Sequence, residues 1–270
     1  MFYTARVLIS AVLATLLLNY PDPSGDHRGD GTYHLPENLT STEQSSLDLR
    51  NFTASDDNGK LSLEVGLGAL ANPLKAPLGF STAILDIFIK TRVGGSTTLG
   101  ETGFETPPGQ GWQYHLHLSG FNKDFYRVPK LTPEKLKSDD IKVTPSGTTL
   151  QIQTPIPAGQ YEYWVTVSLF DPLTPAGLVS PGNDNNPFHL TSALNNPPAP
   201  VDVLAQGDQG RAYIQRTLPP VGNLQDFRPW ILLGMGILGV IGVVVATIML
   251  MNRRPRTEPK QNYEYRANLD

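Results

Sequence analysis

The chain has no cysteine in its 270 residues, which removes disulfides, thiol nucleophiles and thiolate metal sites together. An excess of basic charge is missing too. Its 21 Lys and Arg stand against 25 Asp and Glu for a net charge of -4. No basic stripe interleaved with aromatics runs through the middle of the chain, so nucleic acid is excluded as a partner. Nor does the sequence hold a Gly-x-Ser-x-Gly nucleophile elbow, a His-Glu-x-x-His pair or a phosphate-binding glycine loop. The acidic pairs Asp56-Asp57 and Asp139-Asp140 read as solvated turn residues rather than a glycosidase couple. The expectation is a protein that is not an enzyme. What the chain has in quantity is turn residues, 24 Pro and 25 Gly. With 39% hydrophobic and 17% charged residues it is too apolar to be disordered and long enough for one substantial core.

Long apolar runs occur only at the two ends. After MFYTAR comes VLISAVLATLLL, one positive charge and then about a dozen apolar residues, the polarity order and length of a secretory signal. Residues 1–20 are therefore read as a signal peptide or a retained N-terminal anchor. The run from Trp230 to Met251 holds 22 residues without a charge, enough at about 1.5 Å per residue to cross a bilayer core of about 30 Å. Residues 229–251 are read as a transmembrane helix. Arg253, Arg254, Arg256 and Lys260 follow it, so the positive-inside rule puts residues 252–270 in the cytoplasm and the middle of the chain outside.

Between these ends the periodicity is that of strands. Leu61, Leu63, Val65 and Leu67 alternate in KLSLEVGL, and AILDIFI from Ala83 to Ile89 is nearly continuous, as a strand buried on both faces would be. WQYHLHL (112–118), TTLQIQ (148–153) and YEYWVTVSLF (161–170) add further strands. TPEKLK (132–137), with Pro after a capping Thr, is the one helical signal of this part. The class expected is all-β, an antiparallel β-sandwich over residues 21–192. A Pro- and Gly-containing stalk over residues 193–228 would then lead to the helix.

The sandwich opens with DPSGDHRGDGTYHLP, Asp22 to Pro36, which has the period of neither a helix nor a strand. Its Asp22, Pro23, Gly25, Asp26, Gly29, Gly31, Tyr33 and Pro36 resemble the start of the C-terminal binding module of glucodextranase. That β-sandwich is related to family 9 carbohydrate-binding modules and has the pattern Asp-Pro-x-Gly-Asp-Asp-x-Gly-x-Gly-x-Tyr-x-Tyr-Pro. Leu47-Asp48-Leu49, Asn72-Pro73, Leu78-Gly79-Phe80-Ser81 and Trp112-Gln113-Tyr114 continue the resemblance in order, to about residue 190. His27 stands where the pattern has its second aspartate, and Leu35 where it has its second tyrosine. The resemblance implies a non-catalytic module that binds a glycan.

Three sets of side chains are candidates for chemistry. Asp22, Asp26 and Asp30 are candidate Ca²⁺ ligands on a glycine-loosened loop, the alternative being aspartates that cap their own loop as Asx-turns. Trp164, on the face opposite Tyr163 and Val165 and beside Glu162 and Thr166, is the candidate sugar platform, with those two polar residues at its edge. His115 and His117 share one strand face and would suit a transition metal or haem iron if a third ligand existed. The functional expectation is a single-pass cell-membrane protein whose outer domain recognises an envelope or extracellular glycan. The alternatives are a protein-protein role in an envelope assembly, or a haem or metal redox domain.

Overall fold

A computed structural model describes residues 14–130, 132–224 and 228–251. Fourteen strands dominate it: β1 Thr15–Pro21, β2 Tyr33–His34, β3 Leu49–Asp57, β4 Lys60–Leu67, β5 Ala83–Lys90, β6 Tyr114–Leu118, β7 Lys123–Arg127, β8 Glu134–Leu136, β9 Lys142–Ser146, β10 Thr149–Pro157, β11 Glu162–Leu169, β12 Thr191–Ser192, β13 Asp202–Val203 and β14 Val221–Gly222. Helices are few: α1 Ser41–Ser45, α2 Gln209–Gln215 and α3 Arg228–Met251. One sheet runs β1-β3-β4-β10-β9 and the other β13-β11-β5-β6-β7-β8, with β14 also on β11. Every pairing between these strands is antiparallel.

The alternation explains which side chains meet between the sheets. Leu61, Leu63 and Val65 of β4 are fully buried, and the directly opposed Ile152 and Leu150 of β10 extend the same layer. From the facing sheet, Leu85, Ile87 and Ile89 of β5, Leu116 and Leu118 of β6, and Val165 and Val167 of β11 complete the core. Because side chains alternate, the other face of that sheet carries Asp86 and Phe88, His115 and His117, and Trp164, Thr166 and Ser168. All of β5 is nevertheless buried, which requires a second layer on this outer face.

The chain supplies that layer from segments that have the composition of linkers. Residues 199–222, expected to be stalk, return to the sandwich: Val201, Val203, Leu204 and Leu218 are fully buried, and Tyr213 of α2 nearly so. The amides of Val201 and Leu204 donate to the carbonyls of Val167 and Val165 at 2.8 and 2.9 Å. The stalk reading fails for this segment because the prolines only interrupt the period; the apolar side chains between them still find an uncovered sheet face. Gly100 lies against His115 and Phe88, so the 96–112 connection covers the same face further along.

Two other expectations are corrected. Thr15–Pro21 is an edge strand paired with β3, Tyr20 opposite Phe52, so the leader proposed for residues 1–20 ends inside the sandwich. Its apolar Leu16–Leu18 suit a strand edge as well as a signal sequence; residues 1–13 lie outside the described residues. The segment 132–137 is not helical, since Glu134–Leu136 pairs with β7, Lys135 opposite Tyr126. A strand is reached there because Leu136, opposite Phe125, packs against the core, outweighing a weak local signal. Over Ile231–Met251 the C-terminal helix has a mean hydropathy of 2.6 and the length of a membrane span.

Limited proteolysis of the full-length chain in detergent tests the return segment. If residues 199–222 are packed against the sandwich, trypsin leaves Arg211 and Arg216 uncut under conditions that cleave after Arg253 and Arg256, with fragments read by mass spectrometry. A stalk would be cut first.

Candidate functional site

The N-terminal loop is shaped from outside itself. The amide of Gly25 donates to Asp48 Oδ1 at 3.0 Å, and Asp48 is paired through its other oxygen with Arg50 at 2.6 Å. His27, at the position of the family's second aspartate, sets Nδ1 3.5 Å from the same Asp48 oxygen. Burial alone would raise the Asp48 carboxyl, but the facing His27 imidazole, the Gly25 amide and the Arg50 guanidinium hold it below its usual range. Gly29 has φ +55° and would drive a Cβ into the Tyr33 ring, so the glycine permits the buried tyrosine to donate to the Pro198 carbonyl at 2.6 Å.

This leaves Asp22 and Asp26 free of capping duty. Gln209 Nε2 of α2 donates to Asp22 Oδ1 at 3.0 Å, while Asp22 Oδ2 and Asp26 Oδ1 are buried without a partner. Asp202 of β13 joins them: one oxygen from each of the three carboxylates lies within 4.8 Å of the others. Asp202 accepts from the Leu49 and Val203 amides at 2.7 and 2.8 Å. Asp30 is not in this group; at φ 51° its carboxylate turns instead against Gly210 of α2. The missed member is Asp202, about 180 residues away in sequence, and no local spacing could have found it.

Electrostatically the cluster is under-compensated. Burial first, then Asp26 and Asp48, push the Asp22 carboxyl up to about 8. Asp202 is raised well above its usual range by burial and by Asp22 and Asp26, and Asp26 is raised chiefly by burial. Two neutral oxygens nearby are also buried without partners, Gln209 Oε1 and the Tyr213 hydroxyl. An all-oxygen set of this kind matches a hard cation. Ca²⁺, which takes carboxylate and carbonyl oxygens, is the ion such a set would suit.

The proposed sugar platform has the expected strand face but not the expected exposure. Trp164 is opposite Phe88 in register and points away from the inter-sheet core, yet it is fully buried and donates Nε1–H to the Leu218 carbonyl at 2.8 Å. Thr166 is fully buried as well, and Glu162 is paired with Lys90. The three ligand-binding candidates thus form a covered surface, because the return segment lies over it. Trp112 precedes β6, bridges to Ser96, and packs on Phe88 and His115 of the outer face.

An open concave surface lies elsewhere. Asp57, Lys60, Ser62, Asp139, Asp140, Lys142 and Gln153 line a groove of about 260 Å³. It joins residues of both acidic pairs from the sequence. Eight strand steps along β3 separate this end from Leu49, about 26 Å, so the groove and the carboxylate cluster lie at opposite ends of that strand.

These features define a β-sandwich binding domain in a chain that also carries an apolar helix. Residues 17–171, more than half of the chain, match the C-terminal, SLH-like binding module of glucodextranase, and the chain belongs to that family. The family is a binding module and not a catalytic domain, which points to non-catalytic carbohydrate or surface binding. No curated protein matches the chain.

Two measurements follow. Trp164→Ala should cost about 3–5 kcal/mol in urea melts, whereas an exposed platform would leave stability nearly unchanged. The second concerns pH in the presence of chelator. A carboxyl raised in the folded state contributes stability that is full below its unfolded value, 3.8 for Asp22, and is lost as pH rises through about 8. Asp202 and Asp26 act in the same direction, while the lowered Asp48 contributes its stability above 3.8 and loses it only in more acid solution. Unfolding free energy should therefore fall between pH 4 and 8, and Asp22→Asn should flatten that slope.

Proposed function

We propose that this chain is a membrane-anchored, non-catalytic module that recognises an extracellular or envelope glycan, with Ca²⁺ fixing its N-terminal loop. The family match carries the reading. The groove beside Asp57 and Asp140 supports it chemically: paired carboxylates accept from neighbouring sugar hydroxyls, and Lys60, Lys142 and Gln153 supply donors around them. No aromatic residue lines this groove, so recognition rests on hydrogen bonds rather than ring stacking. The basic residues after Met251 orient the sandwich to the outer side of the cell membrane.

Asp22, Asp26 and Asp202 would hold the calcium, with Gln209 as a neutral oxygen beside them. Bound there, the ion supplies positive charge to carboxyls that otherwise repel one another, and joins the loop to β13. Its role is structural, since the groove lies at the far end of β3.

Affinity electrophoresis of the full-length chain through gels containing dextran, pullulan or an envelope polysaccharide tests the glycan reading. Retardation by one polymer is expected, weakened at least tenfold by Asp140→Asn with an unchanged melting temperature. Passage through every polymer without retardation overturns the glycan assignment and favours a protein partner. In the same preparation, millimolar Ca²⁺ should raise the melting temperature at pH 8 by mass action. Asp26→Asn should abolish that rise and Asp30→Asn should leave it in place.

A further inference from the structure

The outer sheet face holds a second group of metal-ligand type, unrelated in position to the loop. Asp86 of β5 is directly opposite His117 of β6, and His115 is opposite Phe88 two residues along. This register brings His115 Nε2 and His117 Nδ1 each to 2.7 Å from Asp86 Oδ1. The other oxygen, Asp86 Oδ2, is buried with no partner, on a residue only 2% exposed. A hydrogen-bonded structural triad would account for one carboxylate oxygen; the second is left without a function.

The surroundings hold the imidazoles as a ligand shell would. His115 is stacked on Phe88 at 3.9 Å and 11° and on Tyr126 at 5.4 Å and 19°, with Trp112 edge-on at 5.5 Å. Its ring plane is thereby fixed. Asp124 stands opposite His117 on β7, paired with Lys135 at 2.8 Å. His117 is the more accessible of the two imidazoles, with 18% of its side chain exposed against 9% for His115. Haem does not fit this arrangement, because a porphyrin needs open space around its axial nitrogen and His115, only 7% exposed, is enclosed by Phe88, Tyr126 and Trp112.

We propose that Asp86, His115 and His117 bind a divalent transition-metal ion of the zinc class through two imidazole nitrogens and one carboxylate. In this donor set, bonds of about 2.0–2.1 Å place adjacent ligand atoms about 2.9 Å apart at right angles and about 3.3 Å apart tetrahedrally. The present 2.7 Å separations therefore need to open by only a few tenths of an ångström. His115, which burial keeps neutral, frees Nε2 by carrying its N–H on Nδ1 with no net loss of a proton, while His117 releases one proton from its cationic form, and both freed lone pairs turn to the metal. Two nitrogens and a carboxylate favour a borderline ion over calcium, which distinguishes this position from the loop cluster. Water reaching the partly exposed edge of His117 would complete the coordination.

The untagged full-length chain in detergent, stripped with chelator and reloaded with Zn²⁺, should retain one equivalent after dialysis. Its Co²⁺ form should show visible d–d absorption that Zn²⁺ displaces. His117→Gln, at the solvent side, should lower zinc affinity at least tenfold and remove the cobalt bands, while Asp26→Asn should alter neither. Failure of the parent to retain zinc, or retention equal in parent and His117→Gln, overturns the assignment. Should His117→Gln fold poorly, the cobalt spectrum of the parent still decides: absence of bands rejects the site.

Discussion

The hydrogen bond from the Leu49 amide to the Asp202 carboxylate, 2.7 Å in a fully buried setting, is the contact on which the rest of the sandwich depends. Asp202 belongs to the short strand that extends the seven-stranded sheet, and Leu49 begins β3 of the other sheet. The same carboxylate stands beside Asp22 and Asp26. One side chain thus joins the two sheets, the N-terminal loop and the returning C-terminal segment. An amide without an acceptor in that position would carry a cost of about 1–3 kcal/mol; the acceptor that Asp202 supplies stands beside Asp22 and Asp26, and burial and these two push its own carboxyl up.

Much of the fold is legible in the sequence because one sheet is a simple layer. In β4 the alternation of Leu61, Leu63 and Val65 with Ser62 and Glu64 gives both the strand and its buried face. The continuous run in β5 announces a strand covered on both sides, but not what does the covering. That information lies in 199–222, where prolines hide the apolar spacing and short strands give no period. The error at Trp164 has the same origin. Alternation assigns its face correctly, and burial depends on a segment more than 30 residues further along the chain.

The sites divide in a similar way. Asp22 and Asp26 stand out locally because the loop's glycines and family pattern surround them, whereas Asp202 enters only through tertiary pairing. His115 and His117 are evident as alternate residues of one strand, but the partner carboxylate comes from register between β5 and β6. Asp86 sits inside an apolar run, and a lone aspartate in such a run is itself a signal that can be read: burying a charge there demands partners.

The return segment also has a mechanical consequence. The chain leaves the sandwich at β14, two residues paired with Glu162 and Tyr163, before continuing to α3. A pulling load transmitted from the helix end would meet that short pairing first, then Leu218 and the Trp164 hydrogen bond, and then Asp202. Successive release in this order would strip the cover from the outer face before either sheet came apart. The sandwich is built like a clasp whose last fold is the one under tension, and the carboxylate cluster is the catch at its far end.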